Sequence, residues 1–340
     1  MIKCFISEKK PIDSLQWNAL CKENGNLLQS VFYDSIQSFY KETPVYFQLT
    51  LANELIGGVK LFYWKSEKMK FLFPQLSKSL VQNSEFIYSS TFPLKEIIQQ
   101  INKLIQQYIF SEGIVSMQVS SYYGNELLLF STQEHLKKRY QIGIALLNLE
   151  RSIDEILASF HSKHRNALKK ALKNELTFFE STNSNDLLNL MKLTYENQQT
   201  HIPNFNFIDH LINKILSSGH GKLYFVKHKD TILSGAFVQQ YGKRADYAFG
   251  GSIPNNLASG QLLQFRIMEE LKKNGVTQYS LGQVSVEMNN FNEKFEQGIS
   301  RFKIRFGTKI ATVQSRFYVF SRVKFTLFQF LKFISIWLKK

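Results

Sequence analysis

The chain has 340 residues, with 42 Lys and Arg against 27 Asp and Glu, so its formal net charge is +15. A composition of 44% hydrophobic and 20% charged residues excludes a disordered or collagen-like chain, and the length suits two domains with large cores. Two cysteines exclude a disulfide framework and a thiolate metal site, and they indicate a reducing compartment.

Signals for export and for membrane spanning are both missing. Residues 1–10 alternate apolar and charged side chains and lack the apolar segment of a secretion signal. No run of about 18 uncharged apolar residues predicts a transmembrane helix. We therefore expect a cytoplasmic location.

The first half of the chain predicts an α+β unit. A hairpin is indicated around Asn53-Glu54, and Pro93 and Gly113 mark the start and end of a helix. Strands are predicted, in chain order, at residues 44–52, 55–64, 68–73, 114–120 and 139–149.

The second half repeats this order. The capping box from Ser152 to Glu155 predicts a helix that carries a basic cluster at residues 163–173, and Gly275 ends a later helix. Further helices are predicted at residues 184–199, 207–217 and 259–274, and strands at 222–228, 231–241, 245–251, 277–281 and 309–318. Both halves thus predict hairpin, strand, helix, glycine and strand, which favours two copies of one α+β fold.

Charge is unevenly distributed along the chain. The last acidic residue is Glu296, and the ten basic residues after it give the C-terminal segment a charge of +10. Residues 163–173 form a second basic cluster without an acid. Such patches attract phosphate, nucleic acid or an acidic membrane surface, although a solvated helix face is the alternative interpretation.

Several segments of the second half follow one another in a recognisable order. They are residues 233–236, 247–252, 274–275, 279–282 and 298–307, and the last contains Phe302-Lys303-Ile304-Arg305-Phe306-Gly307. In this order they resemble the second GNAT domain of Fem-type (FemAB-like) acyltransferases, which are peptidoglycan-bridge aminoacyltransferases and relatives with a BioF-like acetyltransferase domain. Residues 163–171 are similar to the basic helix of that domain, and residues 26–30 to the N-terminal signature of the family.

The resemblance implies an α+β fold of two tandem GNAT-like acyltransferase domains with a C-terminal basic amphipathic helix. It places the first domain at residues 1–149, the acyltransferase domain at 150–318 and the helix at 319–340. It also implies an N-acyltransferase that moves an acyl or aminoacyl group to an amine of a cell-envelope or peptidoglycan precursor. The alternative is a non-catalytic basic protein that binds RNA or an anionic membrane.

The resemblance also implies roles for individual residues. Lys303 would stabilise the oxyanion of the tetrahedral intermediate, and Phe302 would shape the pocket beside it. Arg165 and Lys169 on the basic helix are candidates for binding the phosphates of a nucleotide-linked or lipid-linked acceptor, and Arg305 is a further candidate for substrate binding. Tyr247 lies on a strand beside two glycines, where either a substrate contact or a core position fits. The alternative for Lys303 is an exposed charge of the tail.

The donor and the partners stay open at this point. No cofactor or metal is expected to be bound; the co-substrate is acyl-CoA or aminoacyl-tRNA, and tRNA could be the donor carrier. The phosphate loop of GNAT enzymes that use acetyl-CoA is poorly matched at residues 255–260, and Ser280 stands where family members often have Asp. A small-molecule or lipid-linked amine is the expected acceptor, and no DNA partner is expected.

The C-terminal segment predicts an amphipathic helix from residue 320 to 340. Polar residues recur at three- and four-residue steps from Arg322 to Lys339, and apolar residues fill the remaining arc. Two locations suit this helix: the anionic surface on the inner face of the cell membrane, or the first domain, on which the same segment packs in Fem-type proteins.

Overall fold

A computed structural model describes residues 2–67, 73–121, 123–197, 203–285 and 294–337, with only the backbone described at 294–297 and 335–337. The chain divides into two compact units. Unit 1 comprises Met1–Ile142 and Val313–Lys340, and unit 2 comprises Gly143–Thr312. The domain borders predicted after residues 149 and 318 differ from these divisions. The observed divisions fall inside two strands, where the composition of the chain does not indicate a border.

The elements of the first part of unit 1 are, in chain order, β1 (Lys3–Glu8), α1 (Ser14–Asn24), α2 (Asp34–Gln37), β2 (Thr43–Leu51), β3 (Glu54–Trp64), α3 (Phe73–Ser77), β4 (Ser79–Gln82), β5 (Ile87–Tyr88), α4 (Leu94–Glu112), β6 (Ser116–Val119) and β7 (Leu136–Asn148). Unit 2 continues with α5 (Ile153–Ser159), α6 (Ser162–Ala171), β8 (Leu176–Ser181), α7 (Ser184–Asn197), α8 (Phe205–Ser217), β9 (Gly221–His228), β10 (Thr231–Tyr241), β11 (Arg244–Ser252), α9 (Ser259–Lys273), β12 (Gln278–Val284) and α10 (Lys294–Ile304). The chain ends with β13 (Lys309–Val319) and α11 (Arg322–Trp337).

The core of unit 1 lies between its sheet and α4. The strand order is β1-β2-β3-β4-β6-β13-β7, in which β4 and β6 run parallel. α4 places Ile97, Ile101, Leu104, Ile105, Tyr108 and Ile109 on its buried face. Gly57 of β3 permits this packing, because a Cβ there would lie 2.7 Å from Ile97. Gly58 leaves room for Trp17 of α1, which would lie 2.6 Å from a Cβ at that position.

Unit 2 has its own hydrophobic core against the strands that it contains. Its strand order is β7-β12-β11-β10-β9-β8, and β11 and β12 are parallel. α9 packs on this sheet through Leu262, Leu263, Ile267, Met268 and Leu271, which are all buried. The predicted α+β fold of two GNAT-like domains is therefore confirmed.

Local sequence signals placed most elements correctly. The two hairpins, the Pro93 and Gly113 ends of α4, and the capping box between Ser152 and Glu155 are all present. The prediction of one long helix after Ser152 was wrong. The helix ends at Ser159 and a new one begins at Ser162, because Phe160 adopts an extended backbone and buries its ring against Phe265 and Phe306.

Some predictions fall partly or wholly outside the described chain. Residues 68–72 of the predicted third strand are among these, and Phe73 begins helix α3 instead. Residues 338–340 of the C-terminal helix also lie outside it, while Arg322–Trp337 is helical as predicted. None of the helices in the described ranges has the length and apolar character that crossing a membrane requires.

Candidate active site

The site lies where two parallel strands of unit 2 separate. β11 and β12 pair from Arg244 with Gln278 to Asp246 with Ser280, and beyond these residues the two strands diverge. A cavity of about 790 Å³ occupies the gap. It is lined by Tyr247 and Gly250–Ser252 of β11, Leu281 of β12, Ala258–Gln261 at the start of α9, and Gly298, Ile299, Phe302 and Lys303 of α10.

The N-terminus of α9 forms one wall of this cavity. Ala258 precedes the helix with φ +61° and supplies no side-chain cap, so the first N–H groups of α9 have no capping side chain. The side chain of Ser259 is turned to Asn255, whose Nδ2 donates to it over 3.0 Å. Uncapped N–H groups at the positive end of a helix dipole attract phosphate or another anion.

Lys303 enters the cavity from the last turn of α10. Its Nζ donates to the carbonyl oxygen of Gln283 over 3.0 Å, and within the described ranges it forms no ion pair. Burial lowers the pKa of Lys303 to about 8, because the cavity wall removes water from its ammonium group. Lys303 therefore stays mostly protonated at pH 7 and keeps two N–H donors beyond the one that Gln283 accepts.

A bulge in β12 makes room for this lysine. The register between β12 and β7 shifts between Ser280 and Gln283, and Gly282 lies there with φ +80°. A Cβ at Gly282 would lie 3.5 Å from the Lys303 Nζ. The left-handed backbone favours glycine at this position, so the bulge fixes where the Gln283 carbonyl meets the ammonium group.

The motif from Phe302 to Gly307 contributes residues both to the cavity and to the hydrophobic core. Phe302 lines the cavity, whereas Phe306 is fully buried and packs edge-to-face on Phe160 with the ring centroids 5.1 Å apart. Gly307 has φ +70°, and a Cβ there would lie 2.7 Å from the carbonyl oxygen of Ser159. The motif therefore fastens the end of α10 to the end of α5 and so positions Lys303.

His164 of α6 supports the same turn of α10. Its Nε2 lies 3.0 Å from the carbonyl oxygen of Phe302, and its ring packs against Phe306 with centroids 4.5 Å apart. Burial lowers the pKa of His164 to about 4, so the neutral imidazole donates Nε2–H to this helix-terminal carbonyl. The role of this histidine in positioning Phe302 was not predicted from the sequence.

Tyr247 lies in the wall of the cavity. Its hydroxyl rests against Gly250, where a Cβ would come 1.7 Å from the hydroxyl oxygen, so Gly250 leaves the space for this side chain. Burial, with a smaller contribution from Tyr195, raises the pKa of Tyr247 to about 12. The hydroxyl is therefore neutral at physiological pH and available as a hydrogen-bond donor.

The basic residues singled out with Lys303 lie elsewhere in unit 2. Arg165 turns its guanidinium to the end of α5, where Nη1 donates to the carbonyl oxygens of Ala158, over 3.0 Å, and of Phe160. Lys169 is exposed on α6, and Arg305 accepts the His161 N–H at its backbone carbonyl over 2.9 Å. None of the three is among the residues that line the cavity, so a role in binding phosphate stays a prediction for them.

Ser234 of β10 is a site residue that the sequence did not reveal. It lines the cavity and is 1% exposed, yet its Oγ has no hydrogen-bond partner in the part of the chain described. Buried hydroxyls normally have a partner, so a polar atom of a ligand would satisfy this one. Serine in a strand is common, and only the three-dimensional position distinguishes Ser234.

Comparison with known proteins agrees with this geometry. Residues 158–294 match the family described as acetyltransferase (GNAT) domain. No curated protein matches the sequence significantly.

The fold is similar to solved structures over most of the chain. A crystal structure of FemX, 15% identical, aligns over 94% of this chain and 99% of its own with a TM-score of 0.74. The C-terminal domain of an Agrobacterium fabrum protein assigned as a lysylphosphatidylglycerol synthetase is 14% identical, with 79% and 83% of the chains covered and a TM-score of 0.50. L-PGS from Bacillus licheniformis is 11% identical, with 94% and 98% covered and a TM-score of 0.50.

The resemblance found in the motifs thus has independent support from the domain match and from the fold. The split strands, the start of α9 and the cavity between them lie within or beside the matched residues. Residues 158–294 match an acetyltransferase (GNAT) domain, and the tandem fold of the chain is similar to that of FemX.

Proposed function

We propose that the protein transfers an acyl or aminoacyl group from an activated ester to an amine of a cell-envelope or peptidoglycan precursor. The observation that carries this proposal is the Lys303 ammonium group, which lines one cavity together with the uncapped N-terminus of α9. The ammonium group can stabilise an oxyanion, and the helix N-terminus can hold a phosphate of the donor.

The reaction needs one new bond and one broken bond. The acceptor nitrogen attacks the ester carbonyl, and a tetrahedral oxyanion forms in the cavity. Lys303 donates a free N–H to this oxyanion while Gln283 holds its third N–H. The oxyanion then collapses, the carbon–oxygen or carbon–sulfur bond of the ester breaks, and the amine proton passes to the leaving group.

The identity of the donor depends on its carrier. Acyl-CoA and aminoacyl-tRNA both bring phosphate groups that suit the N-terminus of α9. FemX and the lysylphosphatidylglycerol synthetase domain share the fold, and the second name denotes an aminoacylated lipid. These neighbours favour an aminoacyl group and a lipid-linked or peptidoglycan acceptor, and hence a protein working in the cytoplasm at the inner face of the membrane.

The test is transfer of a labelled group to envelope precursors. Purified protein is incubated with acyl-CoA or with aminoacyl-tRNA, each with and without ribonuclease, and the mass added to the acceptor is identified. Activity that ribonuclease abolishes assigns the donor to aminoacyl-tRNA, and activity with acyl-CoA alone assigns it to CoA. If neither donor yields a product with any precursor amine, the proposed function is wrong.

Lys303→Ala is the matched variant. Loss of an oxyanion donor lowers kcat by about a hundredfold or more with little change in substrate binding. Lys95→Ala, which removes an exposed lysine of α4 outside the cavity, is the control for a general charge effect. A non-catalytic binder of RNA or membrane would lose equal, small amounts of binding with both variants and would show no turnover with either.

A further inference from the structure

A basic groove lies on unit 1 beside helix α11. Its volume is about 520 Å³. It is lined by Gln118 of β6, by Lys137, Lys138 and Tyr140 of β7, by Ser315, Arg316 and Phe317 of β13, and by Phe325 and Gln329 of α11. No carboxylate is among these lining residues, so the groove has a positive potential that attracts anions.

The charges of the groove differ in their partners. Arg316 pairs with Glu126, its Nη2 lying 3.0 Å from the carboxylate, and this side chain is largely buried. Lys137 and Lys138 are exposed, and neither forms an ion pair within the described ranges. Lys137 lies over the ring of Phe325 with its Nζ 4.5 Å from the centroid, which links the groove to α11. Two lysines thus remain for a phosphate group.

Helix α11 is fixed to unit 1 by one side only. Phe328 packs edge-to-face on Phe73 of α3 with centroids 5.6 Å apart, and Phe325 packs on Phe317 at 5.7 Å. These ring contacts agree with packing on the first domain, one of the two locations predicted for this helix. This packing leaves the other side of the helix uncovered.

The uncovered side of α11 carries a row of large apolar residues. Its members are Val323, Leu327, Phe330 and Phe333, which are 80%, 40%, 59% and 68% exposed. Steps of four, three and three residues place them on one side of a helix. Adjacent exposed residues of this size mark an interaction surface rather than ordinary solvent contact.

We propose that the apolar row of α11 and the basic groove together dock the protein on an anionic lipid bilayer. The row would enter the interfacial layer, and Lys137 and Lys138 would bind the phosphate of a lipid headgroup. Arg322, Lys324 and Lys332 on the same helix add positive charge, and the sequence contains no acid after Glu296. A bilayer satisfies both features, because it offers negative headgroups above an apolar layer. RNA would satisfy the lysines but would leave the apolar row in water.

The docking goes beyond the proposed transfer and is measured without any donor, so failure of one does not imply failure of the other. The full chain is co-sedimented with vesicles of phosphatidylcholine alone and of phosphatidylcholine mixed with phosphatidylglycerol. We expect binding to the anionic vesicles only. Phe330→Ser with Phe333→Ser, and separately Lys137→Gln with Lys138→Gln, should each reduce partitioning at least about tenfold.

Matched controls come from helix α1 and strand β1. Leu15→Ser removes a side chain that is 84% exposed, and Lys3→Gln with Lys22→Gln removes two exposed lysines. Both controls should bind as the natural chain does, and thermal unfolding confirms that every variant is folded. Vesicle binding that neither test pair reduces would overturn the proposal. So would wild-type protein that binds RNA through Lys137 and Lys138 but does not sediment with anionic vesicles.

Discussion

Two lysines with little solvent access illustrate how surroundings decide a residue's role. Lys60 of β3 is 1% exposed, and its Nζ donates over 2.7 Å to both the carbonyl oxygen of Ser30 and the carboxylate of Asp34. Lys303 has only the Gln283 carbonyl among the described residues. A buried charge that is paired supports the fold, while one that lacks a counter-charge weakens it.

These two lysines should therefore respond in opposite ways to the same substitution. Lys60→Met leaves Asp34 without its partner and should lower the free energy of unfolding by about 3–5 kcal/mol. Lys303→Met removes an uncompensated charge and should raise it by about 1 kcal/mol while activity is lost. Urea unfolding at pH 7 measures both, and destabilisation by Lys303→Met would show that this lysine holds the fold together.

The pKa of Lys303 predicts a pH profile for transfer. An oxyanion donor works only when protonated, so kcat/KM should fall as pH rises through about 8. Lys303→Arg keeps a donor that stays charged, because the pKa of arginine lies above the pH range of the assay. The fall in kcat/KM near pH 8 should therefore disappear in this variant, while part of the activity remains. A rate that instead rises through pH 8 and is abolished in the arginine variant would make the neutral amine of Lys303 a general base.

At the scale of elements, the junction between α10 and α5 is the feature that places Lys303. Gly307 approaches Ser159 so closely that no side chain fits, whereas a Cβ at Gly298 of α10 would meet nothing within 4 Å. The two glycines lie close together in the sequence but differ in their surroundings and in their backbone conformation, since only Gly307 has a positive φ. They therefore allow a direct comparison.

Gly307→Ala should be strongly destabilising, by about 2–4 kcal/mol, because it combines a backbone clash with strain at positive φ. Gly298→Ala lies in the helix and should instead stabilise by up to about 1 kcal/mol. Chemical unfolding of both variants tests the junction. Equal stability of the two would mean that the close approach at Gly307 does not exist in solution.

The same elements show what the sequence could predict. Turns, caps and helix ends depend on a few neighbouring residues, as at Asn53, Pro93 and Gly113, and these predictions were confirmed. The break at Phe160 depends on contacts with Phe265 and Phe306, which are distant in sequence, and it was missed. Strand β8 and helices α1 and α10 were missed too, and α10 lies within the motif that carried the resemblance.

The residues of the candidate site also divide into those that the sequence indicated and those that depend on contacts between distant parts of the chain. The resemblance indicated Phe302 and Lys303, and the neighbouring glycines indicated Tyr247; all three line one cavity. Ser234 lies in a segment that carried the resemblance but was given no role, and residues 255–260 before and at the start of α9 matched the phosphate loop poorly. The value of both comes from lying beside the split strands. The lowered pKa of Lys303 likewise depends on burial by walls that several elements distant in sequence provide.

At the scale of the whole molecule, the two units have a similar order of elements but differ in how far their parallel strands pair. In unit 1, all four residues of β4 pair with β6, from Ser79 with Ser116 to Gln82 with Val119. In unit 2, the equivalent parallel pair holds for three residues and then opens. The cavity of unit 2 lies beyond the end of this pairing, and it is the site proposed for the donor.

Hydrogen exchange should reveal this asymmetry. Adding the active donor should slow the exchange of amides at residues 259–261 and 282–284 and leave those at 80–82 and 117–119 unchanged. Lys303→Met should show the same protection, since it loses catalysis rather than binding, and inorganic phosphate serves as the control ligand. Protection of the unit 1 amides instead would move the donor site to the other half of the chain.

The division of the chain has a consequence for its synthesis on the ribosome. Val313–Lys340 belongs to unit 1, and β13 lies between β6 and β7 in that sheet. The half that is translated first therefore lacks an interior strand until β13 has been made, by which time unit 2 already has its residues. Unit 1 must wait with β6 and β7 unpaired on that side, a state in which exposed strand edges invite aggregation. A premature stop codon before β13 would accordingly disrupt the N-terminal half of the protein, although every residue of that half up to Ile142 had been made.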